Sequence, residues 1–182
     1  EEIIKGDCDN KIVTILTTTI LEKGFTDEAI HFLSTCLKYN PHNVWVKSKL
    51  VKILPKDEAV ALVETDDNIS VNELSENDVG KYIEWQLTKA DLCSSLDRAL
   101  DCLSEVKSFV QQVNVDDSTT VLERITMKEA KCHLNMERSC NLDIALNLLK
   151  DMVPTEESFN VFILLTSRLY EAGRYKECLQ QI

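Results

Sequence analysis

Apolar residues recur at steps of three and four along most of the chain, the spacing that lines one face of a helix. Ile12, Ile15, Leu16 and Ile20 form one such row, and Phe159, Phe162, Leu165 and Leu169 another. Each row is expected to bury against a neighbouring helix. Breakers divide the rows into helix pairs at about 11–22 with 26–39, 44–53 with 56–64, and 79–92 with 95–112. Two further pairs follow at about 120–136 with 142–152 and 157–171 with 174–182, which makes ten helices and no strand. Between them lie two polar stretches rich in Asp, Asn and Ser, Thr65 to Asn77 and Val113 to Thr120, which read as loops. Pro41 and Pro154 stand where a helix must stop, and Pro55 suits the first turn of the next.

The pairs repeat. Leu21-Glu22-Lys23-Gly24-Phe25-Thr26-Asp27-Glu28-Ala29-Ile30 has a second copy in Tyr170-Glu171-Ala172-Gly173-Arg174-Tyr175-Lys176-Glu177-Cys178-Leu179. In both, glycine ends an apolar helix, and five residues later a small side chain lets the returning helix cross closely. The small position recurs at Ala29, Ala59, Ala99, Ala145 and Cys178, with gaps of 30, 40, 46 and 33 residues. Those gaps scatter around the about 34-residue period of stacked helix pairs.

At these residues the chain resembles the tetratricopeptide repeat family. Leu16, Thr17, Ile20, Ala29, Leu33, Cys36 and Pro41 fall on the family's positions in order, as do Phe162, Leu165, Thr166, Leu169 and Cys178 in the last unit. Ala59, Ala99 and Ala145 mark weaker units between them. The resemblance implies an all-α fold, a right-handed α-α superhelix of about five helix pairs spanning 1–182 as a single domain. It also implies a scaffold or adaptor that binds a protein or peptide partner in a concave groove lined by first helices. On this register the groove-facing positions are Thr14, Thr18, Glu84, Thr88, Ile163 and Ser167, with no Lys or Asn to clamp a terminal carboxylate. Because the chain opens at Glu1 without Met, it reads as a fragment of a longer subunit of a complex. At the other end, Cys178, Leu179 and Ile182 would lie on the face that a following helix covers. That stripe is expected to be covered by further repeats, by a partner chain, or by self-association through the C-terminal end.

Composition narrows the function. With 31 acidic and 20 basic residues the net charge is −11, which argues against direct nucleic-acid binding. No apolar run reaches the roughly 18 residues of a membrane span. Seven cysteines without a C-x-x-C pair read as reduced thiols, hence a cytoplasmic or nuclear protein with no cofactor. Cys132, His133 and Cys140 are the nearest approach to a metal site, but neighbours on a helix point about 100° apart and Cys140 falls at a turn. His31 with Cys36, or Cys132 with His133, would be the candidate nucleophile pairs; core packing explains these thiols without catalysis. No phosphate-binding glycine loop is present, so no enzyme is expected. The alternative is a helical enzyme or ligand-binding domain with an enclosed pocket.

The candidate partner-binding residues are Trp45, Lys47, Lys49, Lys52, Tyr82 and Trp85. The lysines belong to a basic cluster of Lys38, His42, Lys47, Lys49, Lys52 and Lys56, the one inversion of charge in an acidic chain. It reads either as a dock for an acidic segment or as a solvated face. The acidic stretch from Glu64 to Asp78 invites the opposite partner. Trp45, Tyr82 and Trp85 read as core between repeats or as groove anchors.

Overall fold

A computed structural model describes residues 10–65, 76–113, 117–136 and 139–180, and among them every regular element is an α-helix. The chain divides into two compact units, Glu1–Cys93 and Ser94–Ile182. In the first lie α1 (Asn10–Glu22), α2 (Thr26–Tyr39), α3 (Val44–Val51), α4 (Lys56–Glu64) and α5 (Glu76–Leu92). Each packs on the next, and α5 also packs on α3. The second unit holds α6 (Leu96–Gln112), α7 (Ser118–Asn135), α8 (Ser139–Leu149), α9 (Phe159–Glu171) and α10 (Tyr175–Gln180). Here too successive helices are in contact, and α9 additionally reaches α7. Contacts to the next helix and to the next but one are the arrangement that stacked helical hairpins produce.

The two glycines of the repeated segment do the same work. Gly24 and Gly173 adopt φ of 79° and 73°, in the left-handed region that costs glycine nothing. Gly24 N donates to Leu21 O at 2.9 Å and Phe25 N to Ile20 O at 3.2 Å. Gly173 N donates to Tyr170 O at 3.0 Å and Arg174 N to Leu169 O at 2.9 Å. Both are Schellman closures, which satisfy the last carbonyls of α1 and α9 and turn the chain back on itself. The small positions serve as the spacing requires: Ala29, Ala59, Ala99 and Ala145 are all buried, while Cys178 is half-buried.

Other helix starts are fixed by polar side chains. Asn43 caps α3, its Oδ1 accepting from Val46 N at 3.1 Å. Ahead of α9, Thr155 N donates to Ser158 Oγ at 2.7 Å and Ser158 N to Thr155 Oγ1 at 3.3 Å, a reciprocal pair that buries Ser158. Asp117 precedes α7 in the left-handed region, where a short polar side chain is tolerated, and its Oδ1 accepts from Thr120 Oγ1 at 2.7 Å.

The core of the first unit joins Val13, Leu33, Cys36, Val46 and Leu50. That of the second joins Ala130, Leu134, Ala145, Leu149, Phe162, Leu165 and Leu169. Helix α1 departs from the expected rotation. Val13 and Thr17 are its buried residues, whereas Ile12, Ile15 and Leu16 are exposed. The helix is apolar around much of its circumference, so the 13–17 row, not the 12–16 row, meets α2. Phe159 is likewise exposed although Phe162, Leu165 and Leu169 are buried. Of the expected C-terminal stripe, Leu179 is 73% exposed, Cys178 is half-buried against the core, and Ile182, with Cys8, lies outside the described residues.

Candidate protein-binding surface

Helix α9 is built with two opposed faces. Val161, Phe162, Leu165 and Leu169 enter the core, and the Thr155–Ser158 pair together with the Gly173 closure fix both of its ends. The opposite row is Asn160, Ile163, Ser167 and Tyr170, all exposed, with Ile163 at 51% and Tyr170 at 64%. Residues at i, i+3, i+7 and i+10 share a helix face, so this row is a continuous strip of mixed apolar and hydrogen-bonding character. Tyr170 extends it toward α10 by an edge-to-face contact with the exposed Tyr175, ring centroids 5.3 Å apart. Ion pairs hold the far end in place. Arg174 donates to Asp143 at 2.6 Å and to Glu177, tying α10 to α8, and Arg168 pairs with Glu171 at 3.2 Å. The hydrogen bond from Arg174 holds the Glu177 carboxyl below the ordinary carboxylate range, and the two acids push the guanidinium upward.

The other groove positions expected from the sequence are also accessible. Thr18 and Glu84 are exposed, and Thr14 and Thr88 are half-buried. Sequence reasoning placed Ile163 and Ser167 in the row but missed Tyr170 and Tyr175. Tyr170 stands seven residues after Ile163, two helical turns on the same face, and that spacing was the available signal.

The expected partner-binding residues do not form one surface. Trp85 is 1% exposed and Tyr82 is also buried, its hydroxyl accepting from Gln86 Nε2 at 2.8 Å. Both belong to the interior, where α5 packs on α3 and α4. Lys47 is 5% exposed and lies with Val44, Leu50 and Val51 on faces of α3 turned to its neighbours. Of the two readings of Tyr82 and Trp85, burial favours core between helices, and Lys47 too lies in the interior and not on a solvated face. Trp45, Lys49 and Lys52 remain at the surface: Trp45 is partly buried against the core, and Lys49 Nζ sits 5.5 Å from its ring centroid. The acidic stretch at 64–78 falls mostly outside the described residues.

The thiols and histidines are dispersed. His31 is exposed while Cys36 is buried, so the two project from different faces of α2. His133 Nδ1 is buried without a hydrogen-bond partner, and the Cys140 thiol points to Asn141 Oδ1 at 3.9 Å. Among the described residues no three His, Cys, Asp or Glu side chains are grouped to hold a metal ion, and no helix is long and apolar enough to cross a membrane. No protein-family model, curated protein or solved structure matches the chain.

Proposed function

We propose that this chain is a tetratricopeptide-like scaffold or adaptor, a right-handed stack of about five helix pairs within a larger complex, and that it works by binding a partner protein rather than by catalysis. The observation that carries this reading is the division of α9 between a buried face and an exposed row. Leu165 and Leu169 are fully buried while Asn160, Ile163, Ser167 and Tyr170 line the opposite side. A helix held this rigidly presents side chains at fixed spacing, which lowers the ordering cost of binding. The contacts of α5 with α3 and of α9 with α7 support stacked first helices, whose outer rows would line a concave groove. Seven cysteines without a C-x-x-C pair support a reducing compartment, cytoplasm or nucleus.

The test is affinity capture with the intact chain, read by quantitative mass spectrometry, alongside Ile163→Glu/Tyr170→Glu. Both side chains are exposed, so the double variant keeps its circular dichroism. A partner bound through the row drops at least tenfold in the variant's eluate, since a central contact costs more than about 1.4 kcal/mol. Retention of every captured protein at wild-type level would refute the groove reading.

A further inference from the structure

Residues 38–56 contain five lysines and one histidine and no acidic residue, inside a chain of net charge −11. The structure puts Lys38, His42, Lys49, Lys52 and Lys56 at the surface around the two turns that flank α3. None of these four lysines forms an ion pair among the described residues. Several cations elsewhere are paired, Lys81 to Asp78 at 2.8 Å, Lys107 to Glu129 at 2.6 Å, Arg168 to Glu171 and Arg174 to Asp143; Lys23, Lys131 and Lys176 are exposed singly, whereas the 38–56 lysines are clustered. Clustered cations without partners add no stability, since like charges repel; the exposed Asp57 and Glu58 that follow Lys56 bound the positive surface on the α4 side.

The same surface carries aromatic area. Tyr39, beside Lys38 at the end of α2, is 53% exposed. Trp45 is packed against the core on one side and lies under Lys49 on the other, so its ring is a rigid platform. Lysines are poor interface centres but effective rim and steering charges, and the two rings supply the apolar centre that lysines lack.

We propose that the α2–α4 face is a second docking surface that takes an acidic protein segment, Asp- and Glu-rich with an apolar side chain to set against the Trp45 ring or the exposed Tyr39. This surface is separate in residues from the α9 row and does not depend on that row binding anything. Protein is favoured over nucleic acid by range. A short segment feels mainly the local lysines, because charges beyond about 8 Å are screened at physiological salt. A long polyanion must also approach the rest of a molecule at −11. The patch moreover contains lysine and no arginine, so it offers single charges and not the bidentate fork that grips phosphate.

The test is fluorescence anisotropy on the full chain with three probes: a labelled twelve-residue Asp/Glu peptide with a central Leu, an oligothymidylate of equal charge, and phosphatidylserine vesicles. The peptide should bind, weaken as salt rises, and lose at least about tenfold in affinity on Lys49→Glu/Lys52→Glu/Lys56→Glu, each reversal removing one attraction and adding one repulsion. Because the three lysines are exposed, the variant should keep its helical spectrum; Lys49→Gln/Lys52→Gln serves as the milder version, with a smaller loss in the same direction. Ile163→Glu/Tyr170→Glu should bind the peptide as wild type does, which separates this surface from the groove. Absence of peptide binding at low salt, binding indifferent to charge reversal, or oligothymidylate or vesicles binding as tightly as the peptide would each overturn the proposal. So would light scattering that shows the patch occupied by a second copy of the chain, seen as a dimer abolished by the same reversals.

Discussion

Replacing Gly24 or Gly173 by alanine isolates the backbone conformation on which the repeat depends. Neither site has any heavy atom within 4 Å of where a Cβ would stand, so sterics with neighbours contribute nothing. What remains is φ, at 79° and 73°. Placing an L side chain there costs about 1–2 kcal/mol, and alanine offsets about 0.4–1 kcal/mol of it by stiffening the unfolded chain. A net loss of about 1 kcal/mol per site follows. Gly80 supplies the internal control: it too has open space around it, but it lies within α5 and lacks positive φ. There alanine should stabilise by about 0.5–1 kcal/mol. Urea unfolding followed by circular dichroism reads all three, and asparagine at 24 or 173 should cost less than alanine because it tolerates the left-handed region. If the three alanine variants shift the midpoint in the same direction, the helix closures are not what these glycines provide.

Leu165→Ala should lose about 2–5 kcal/mol in thermal or denaturant unfolding, since it empties a fully buried site in the core of the second unit. Ala29→Leu and Ala145→Leu should each cost about 1–3 kcal/mol by forcing methylenes into closely crossing helices, and an unchanged midpoint at both would displace the repeat register. Arg174→Gln should speed hydrogen exchange in α10 more than in α9, because its links to Asp143 and Glu177 hold the last helix. The Glu177 carboxyl is depressed in the fold, so its contribution is complete above the ordinary carboxylate pKa and disappears as pH falls through the lowered value. Acidification should therefore loosen α10, and exchange there that is independent of pH below neutrality, after correction for intrinsic rates, would contradict the pairing. If a second copy of the chain covers Leu179, light scattering over a concentration series shows self-association that Leu179→Glu weakens; a strict monomer at every concentration excludes that cover.

Helix positions were legible because punctuation and period agreed. Gly24, Gly173, Pro41 and Pro55 delimit segments that the structure forms within a few residues, as at Thr26–Tyr39 and Lys56–Glu64. The rotation of α1 was not legible. Its sequence Ile12-Val13-Thr14-Ile15-Leu16 offers apolar rows on more than one side, and only contact with α2 selects Val13. The sequence could not choose between the two readings open for Tyr82 and Trp85, core or groove anchor, and the burial of Lys47 was not legible for a related reason. A one-face analysis assumes a helix with one buried side, whereas α3 and α5 each meet several neighbours and bury residues around more of their circumference. The exposed row of α9 was half legible: Ile163 and Ser167 followed from the repeat register, while Tyr170 and Tyr175 emerged only once the Gly173 turn brought their rings together.

The central claim is that a partner is held along the exposed row of α9, and hydrogen–deuterium exchange on the captured complex tests it most directly. Bound partner should slow exchange in α9 around Ile163 and Tyr170, leaving the α8 segment around Ala145 unchanged. Protection confined to α8, or no added protection in α9, would contradict the account.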